Sequence, residues 1–242
     1  MKYIEHVIET NRLVLCWQAT ESKNRSRFVV GELVRDDDGV VDLVYLTDSP
    51  DYRSAIECGF AGHPAFRLSA ERHHNVMDTF ARRLPTKKRH DYGRYLELRA
   101  ISPDASISDF TLLGYTGAKL PDDGFEICHP FDNVEGGFEF LIEVAGFRHE
   151  AEIDADELPL GGFVEFEREP DNPYDSTAIR ISYEGRKLGY VGRGDLGKIH
   201  SAWEEGRTLF GDIYRKNGTS SRPLIYVYVS VSDIIESELE SA

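Results

Sequence analysis

The amino-acid sequence predicts an α+β protein in which a mixed strand-and-helix domain precedes a small, partly open β-barrel. Short runs of β-branched residues bounded by turn residues occur near both ends of the chain, as is typical of strands. Between them, apolar residues recur at helical spacing. The stretch 117–137 is rich in Gly, Pro and Asp and keeps neither period, which is typical of a connection. We therefore predict domains at 1–125 and 138–242, joined by a linker at 126–137.

The first domain is predicted to open on three strands, at 13–18, 28–34 and 40–46. All three are rich in β-branched residues. The turn Asp-Asp-Asp-Gly at 36–39 is a hairpin signal because glycine readily adopts the positive φ that such turns need. The second and third strands are therefore predicted to pair as a hairpin.

Four helical segments are predicted after these strands. The Ser-Pro pair at 49–50 indicates a helix start, with serine as the cap and proline in the first turn. A longer helix is predicted from 69 to 85, where a proline ends the run of apolar residues at helical spacing. Two further helices are predicted at 91–101 and 108–113.

The second domain is predicted to be mostly strand. A helix starts near Asp195, where apolar residues again follow helical spacing. Four strands are predicted before that helix and one after it, and this order favours a small, partly open barrel. The predicted strands are 138–147, 162–167, 177–183, 187–191 and 224–231.

Composition excludes several classes of protein. The 242 residues are 40% hydrophobic, enough for a packed core, but no run approaches the roughly 20 apolar residues needed to span a bilayer. The N-terminus carries acidic residues where a signal peptide would be apolar, so we expect a cytoplasmic protein. Three scattered cysteines without CxxC spacing predict neither a disulfide framework nor a zinc site.

The net charge restricts what the protein could bind. With 28 Lys and Arg against 43 Asp and Glu, the formal net charge is -15. A chain this acidic is repelled by nucleic acid at long range, although salt screens exposed charges beyond about 10 Å. We therefore expect no extensive duplex-coating surface, and any nucleic-acid site should be small.

Motifs of common enzymes are missing from the sequence. It contains no GxxxxGK[ST], GxSxG or HExxH pattern, and its histidines are scattered. We therefore expect a non-enzymatic protein with no cofactor and no metal site. The many carboxylate pairs are expected to be solvated surface charge.

The most distinctive stretch runs from 168 to 193 and contains a turn followed by two strands. Asn172 and Pro173 are turn formers, and the turn places Tyr174 next to Asp175. An aromatic ring beside a carboxylate suits stacking of a base or sugar while a hydroxyl donates a hydrogen bond. Alternatively, Tyr174 plugs the barrel end and Asp175 only caps the turn.

This stretch resembles the signature of HIRAN domains, R-x-P-x-N-P-Y-D-x-x-A-I followed by a strand ending in G-Y or G-H. The matching residues are Arg168, Pro170, Asn172, Pro173, Tyr174, Asp175, Ala178, Ile179, Gly189 and Tyr190. Upstream, VAGFRHE at 144–150 is similar to the family's first strand. The resemblance covers some 95 residues and implies an OB-like fold that binds ends of single-stranded DNA.

The resemblance also implies roles for individual residues. Arg148 would contact a backbone phosphate, Tyr174 would stack on a base, and Asp175 would accept a hydrogen bond from the terminal 3′-hydroxyl. Tyr190 and Arg193 would line the same groove, one by stacking and one by charge.

Three positions differ from the best-understood member of the family. His149, which we include among the contacts, stands where that member has a tyrosine, and Tyr190 stands where it has a histidine. Gly192 replaces a lysine, which removes one cation. These departures predict weak, salt-sensitive binding of a single-stranded DNA 3′ end.

The first half of the chain is similar to the N-terminal subdomain of HipA-type kinases. The shared features are a strand–G-x-L–hairpin opening, an R-L-P turn and an L-L-G-x-T-G element. No catalytic HxD or DFG motif follows. This similarity leaves a second function open: a regulatory subunit that binds a protein partner, such as a HipA-like toxin or a phage or defence protein.

Overall fold

The computed structural model describes residues 2–19, 26–121 and 123–233 and contains two antiparallel sheets. The predicted α+β class, with a curled half-barrel at the C-terminal end, is confirmed. Within the described ranges, no helix is long and apolar enough to cross a membrane.

The first sheet has the strand order β4-β3-β2-β1-β5. Its first three strands confirm the predicted ones, and Gly39 adopts a φ of +82° in the predicted hairpin turn. The strands are β1 (Arg12–Gln18), β2 (Arg27–Arg35), β3 (Val41–Tyr45), β4 (Arg72–His73) and β5 (Phe125–Cys128).

Four helices accompany this sheet. They are α1 (Pro50–Glu57), α2 (Met77–Ala81), α3 (Tyr92–Glu97) and α4 (Asp109–Thr116). Three of them match predicted helices, with shorter or shifted ends. The predicted cap of α1 is confirmed, because the Ser49 side chain accepts a hydrogen bond from the Tyr52 amide at 3.0 Å.

The predicted helix at 69–85 is wrong over most of its length. Strand β4 lies inside it and pairs with β3, where Arg72 forms a 2.9 Å ion pair with Asp42. Asn75 follows with a positive φ of 53°, which a continuous helix cannot contain. Only the five residues of α2 are helical, and there the buried Val76 and Phe80 account for the helical spacing.

The second sheet has the order β6-β11-β10-β7-β8-β9. An isolated antiparallel bridge between Ala145 and Tyr190 joins its two edges, so the sheet curls into a partly closed barrel. The strands are β6 (Phe138–Glu143), β7 (Phe163–Arg168), β8 (Ile179–Tyr183), β9 (Arg186–Tyr190), β10 (Thr208–Thr219) and β11 (Arg222–Ser232). The helices are α5 (Phe147–Glu150) and α6 (Arg193–Glu204), with a 3-10 turn at Ala155–Glu157.

Three predictions for the second half of the chain are corrected. The segment 144–150, identified with a first strand, instead forms α5 after Gly146, which has a φ of +77°. Strand β10 was not predicted at all. The linker predicted at 126–137 contains most of β5, which pairs with β1 in the first sheet.

The two halves of the chain share a hydrophobic core. Leu96, Leu112 and Tyr115 of the first half lie in the same buried cluster as the inner face of the barrel. The Tyr228 hydroxyl of β11 donates a 2.9 Å hydrogen bond to the Tyr3 carbonyl. Helix α6 also contacts β1, β2 and β5. The barrel is therefore packed against the first sheet rather than tethered to it.

Histidine 129, between β5 and β6, is buried in a geometry that requires its neutral form. Its Nε2 donates to the Ile8 carbonyl at 2.9 Å, and its Nδ1 accepts from the Phe131 amide at 3.0 Å. Burial, reinforced by the charge of Lys198, lowers the pKa of His129 to about 4. Protonation of Nδ1 would break the bond from Phe131.

We therefore expect the free energy of unfolding to fall as the pH falls from about 6.5 toward 4. In that window the unfolded state binds a proton at this histidine that the folded state does not, so stability decreases. His129 should contribute about 2 kcal/mol of this loss between pH 7 and pH 5. His63, whose pKa burial also lowers to about 4, should contribute similarly.

Urea unfolding at pH 7 and pH 5 checks this expectation. His129→Gln should remove about half of the pH-dependent loss, whereas His149→Gln, at an exposed position, should leave it unchanged. An unaltered pH dependence in His129→Gln would contradict the assignment.

Candidate functional site

An open cleft of about 1150 Å³ lies where the barrel meets the first sheet. Its floor and one wall come from the turn before β8, the end of β9 and the start of α6. The opposite wall includes Arg27, Asp51 and Ser54 from the first half of the chain. All six residues predicted to bind DNA line it: Arg148, His149, Tyr174, Asp175, Tyr190 and Arg193.

The turn between β7 and β8 is held by the side chain of Asn172. Its Oδ1 accepts hydrogen bonds from the amides of Tyr174 at 3.0 Å and Asp175 at 3.2 Å. Its Nδ2 donates to Glu169 at 3.0 Å and to the Tyr190 hydroxyl at 3.1 Å. One asparagine thus fixes the backbone of the turn and ties it to β9.

The Tyr174 side chain projects from this turn into solvent and is 96% exposed. The alternative in which Tyr174 plugs the barrel end is therefore wrong. The other part of that alternative holds, because Asp175 Oδ1 caps the turn by accepting from the Thr177 amide at 2.9 Å and the Thr177 hydroxyl at 2.6 Å. The turn therefore presents an uncovered aromatic ring beside an anchored carboxylate.

Arg193, at the start of α6, lies between two carboxylates. Its guanidinium bonds to Asp175 on one side and to Asp51 on the other, where Nη2 to Oδ1 is 2.6 Å. Burial raises the pKa of Asp175, but its bonds from Thr177 and Arg193 outweigh burial and hold that pKa below its usual value. Asp175 is therefore ionised at neutral pH. The charge of Arg193 is already matched within the protein.

Tyr190 is held by polar neighbours on its hydroxyl. The hydroxyl donates to Glu169 at 3.0 Å and accepts from Lys187 at 2.7 Å. The Lys187 ammonium also lies 4.1 Å from the ring centroid, so it covers one face of the ring. Only the other face is left for stacking.

Other cations of the cleft are not engaged in this way. Arg148, on α5, is exposed, as is its neighbour His149. Arg168 lies over the ring of Trp203, 4.9 Å from its centroid, and Arg222 is exposed at the start of β11. None of these three arginines forms an ion pair with a residue that the structure describes. They are the cations available to an anionic ligand.

The local charge of the cleft differs from that of the whole chain. Seven Lys or Arg and eight Asp or Glu residues line it, so it is nearly neutral, whereas the chain carries -15. Sequence reasoning missed Arg222, Lys187 and the basic residues of the opposite wall, Arg27 and Lys119. Among the unpaired cations of the cleft outside the predicted set, only Arg168 belongs to the signature motif and could have been found from it. Within the described ranges, no cluster of three or more His, Cys, Asp or Glu residues could hold a metal ion.

Comparisons with known proteins find a match for the second half of the chain, which supplies most of the residues that line this cleft. Residues 138–232 match the family model of the HIRAN domain. The crystal structure of the HIRAN domain of human HLTF is similar at 17% identity and a TM-score of 0.34, over 43% of this chain and 86% of that one. A structure from Lactobacillus plantarum is similar at 24% identity and a TM-score of 0.32, over 39% of this chain and 98% of that one.

No curated protein matches the chain significantly. The similarity of the first half to HipA-type kinases and its separation as a domain stay predictions. For the second half, the family match and the signature turn agree: residues 138–232 match the HIRAN domain family.

Proposed function

We propose that the cleft binds single-stranded DNA at a free 3′ end. The proposal rests on the turn that Asn172 stabilises, because this turn exposes the Tyr174 ring beside the ionised Asp175. The match to the HIRAN family supports a DNA-binding module in general. A ring with open faces can stack on a base, and such stacking is sequence-tolerant because every base has a π-face.

The backbone of the strand would be contacted by few cations. Arg148, Arg168 and Arg222 lie around the cleft without carboxylate partners among the described residues. Three phosphate contacts in a chain of net charge -15 predict weak binding that falls as salt rises. Binding of this kind suits a terminus-sensing role better than coating of long strands.

Asp175 supplies the selectivity for a terminal hydroxyl. A carboxylate has about four lone-pair directions, so its two oxygens can serve Thr177 and Arg193 and still accept one more donor. A 3′-hydroxyl is a donor, whereas a 3′-phosphate would bring a second anion against Asp175. The site should therefore prefer a 3′-hydroxyl end.

Asp175→Asn should weaken binding to a 3′-hydroxyl strand by about tenfold, because a charge-assisted hydrogen bond becomes a neutral one. The same change leaves Arg193 with one carboxylate fewer, so a 3′-phosphate strand should bind as well as, or better than, it does to the unaltered protein. Fluorescence anisotropy at low salt with the two strands measures both affinities.

Asp171→Asn is the matched control, since it removes the same charge from the same turn at an exposed position. It should change both affinities by the same small factor. Equal losses on both strands with Asp175→Asn would disprove recognition of the hydroxyl, while leaving stacking on Tyr174 untouched.

A second candidate function is binding of a protein partner, and one contact favours it. Asp51 of the first half takes up part of the charge of Arg193, so the first half of the chain and the HIRAN site are directly linked. A regulatory subunit of this kind would be non-enzymatic and need no nucleic acid. Absence of binding to every strand at low salt would favour this second candidate.

A further inference from the structure

A second, smaller cavity of about 170 Å³ adjoins the cleft. It lies between the C-terminal end of α4, strands β5 and β6, and the β10–β11 pair. Three carboxylates line it, and each has a lysine partner. Glu126 and Glu143 are 2.9 and 3.4 Å from Lys119, and Asp195 is 2.6 Å from Lys198. Each acidic side chain of the cavity is therefore already paired with a lysine.

Two arginines of the same cavity have no such partner. Neither Arg99 nor Arg215 forms an ion pair with any residue in the described part of the chain. Each guanidinium instead lies over a tyrosine ring, Arg99 over Tyr95 and Arg215 over Tyr226, with Cζ 3.8 Å from the ring centroid in both pairs. Stacking covers a face of the guanidinium but uses none of its N–H groups, which point outward in its plane.

The N–H groups of these two side chains are only partly satisfied. Arg99 donates one hydrogen bond, from Nη1 to the Tyr95 carbonyl at 3.0 Å, and Arg215 donates one to the Tyr226 hydroxyl. The Nε atoms of both arginines are buried and have no hydrogen-bond partner among the described residues. A buried donor without a partner costs about 1–3 kcal/mol, and more for a charged group.

The two charges also act on each other. Burial lowers the pKa of Arg99 below its ordinary value, and the nearby charge of Arg215 lowers it further. Like charges in a partly dehydrated cavity destabilise the folded state unless a counter-ion binds between them. An oxyanion would supply acceptors in the planes of both guanidinium groups, as in bidentate arginine–phosphate contacts.

We propose that Arg99 and Arg215 form a binding site for a phosphate-class oxyanion in this cavity. The site adjoins the DNA-end cleft, but Arg99 and Arg215 do not line that cleft. Its volume is sufficient for a tetrahedral oxyanion. Lys119 lines both this cavity and the cleft. The oxyanion is therefore either free phosphate or the terminal phosphate of a nucleotide that extends from the cleft.

Thermal unfolding of the full chain in 20 mM phosphate and in chloride of equal ionic strength tests the site. The temperature midpoint of the unaltered protein should rise in phosphate by about 3 °C, as expected for ligand several-fold above its dissociation constant. Arg99→Gln and Arg215→Gln should each abolish this rise. In chloride they should unfold at the same or a higher temperature than the unaltered protein, because each removes an unpartnered charge.

Arg53→Gln is the control, since it removes an equal charge from an exposed position of α1. It should retain the full phosphate effect. An equal rise in all variants, or no rise in the unaltered protein with either phosphate or a nucleoside 5′-monophosphate, would overturn the proposal. A rise with the monophosphate alone that Arg99→Gln abolishes would support it and identify a terminal phosphate as the ligand.

A variant that is less stable in chloride by several degrees would show that the arginine has a structural role. In that case, calorimetric titration of phosphate into the unaltered protein decides the matter. One binding site per chain supports the proposal, and the absence of binding heat together with an unchanged midpoint contradicts it.

Discussion

Tyr174→Ala is expected to weaken binding of a single-stranded 3′ end by about 1–3 kcal/mol, or roughly 5- to 150-fold. The ring is 96% exposed and contributes nothing to the core, so the whole loss should come from stacking on the strand. The turn should keep its shape, because Asn172 bonds to the backbone of Tyr174 and not to its side chain. Stability should change by less than about 0.5 kcal/mol.

Anisotropy at low salt gives the affinity, and urea unfolding of the same preparation gives the stability. Phe163→Ala is the matched control, since this aromatic ring is 55% exposed on the barrel but does not line the cleft. It should bind the strand like the unaltered protein. If Tyr174→Ala bound equally well, the exposed ring would have no part in binding, and the second candidate function would be favoured.

The site turn could be predicted because its signals are local. Asn172, Pro173 and Asp175 each favour a turn through their own backbone or side chain, and the structure shows Asn172 and Asp175 bonding to amides two or three residues away. The turn alone did not decide whether Tyr174 plugs the barrel end or is exposed, because this depends on how the neighbouring strands are placed.

The missed strands lack the two-residue period on which strand prediction rests. Strand β5 has only four residues and all of them are buried, so buried and exposed positions do not alternate along it. Strand β10 contains two glycines and a register shift between Ile213 and Arg215, which breaks its alternation. Pairing with β1, more than 100 residues earlier in the chain, stabilises β5, whereas β10 pairs with β11 across the tight turn between Thr219 and Arg222.

Contacts between the two halves of the chain could not be predicted from local sequence patterns either. Arg193 and Asp51 are 142 residues apart, and the chain offers 43 acidic residues as possible partners. The resemblance assigned Arg193 to charge contacts with DNA, whereas the structure engages it with two carboxylates. The docking of α6 on the first sheet is what brings Arg193 to Asp51.

That docking depends on a glycine, and Gly194→Ala should destabilise the fold by about 1–3 kcal/mol. A Cβ at this position would lie well within the van der Waals contact distance of Cys128 Sγ, and 2.9 Å from Cys16 Sγ. Both cysteines are buried on adjacent strands, β5 and β1, so neither sulfur can retreat into solvent. Helix α6 would have to move away from the sheet, and Arg193 would move with it.

Gly197→Ala, three residues along the same helix, separates this clash from the general effect of adding a methyl group. A Cβ there meets nothing within 4 Å, so the change should stabilise α6 by about 0.5–1 kcal/mol through higher helix propensity. Urea unfolding should thus give opposite signs for the two substitutions. Adding Cys128→Ala to Gly194→Ala should recover part of the loss, because the smaller side chain makes room for the new methyl group. Equal effects at the two glycines would mean that α6 does not rest on the first sheet. The link from Asp51 to the cleft would then also be wrong.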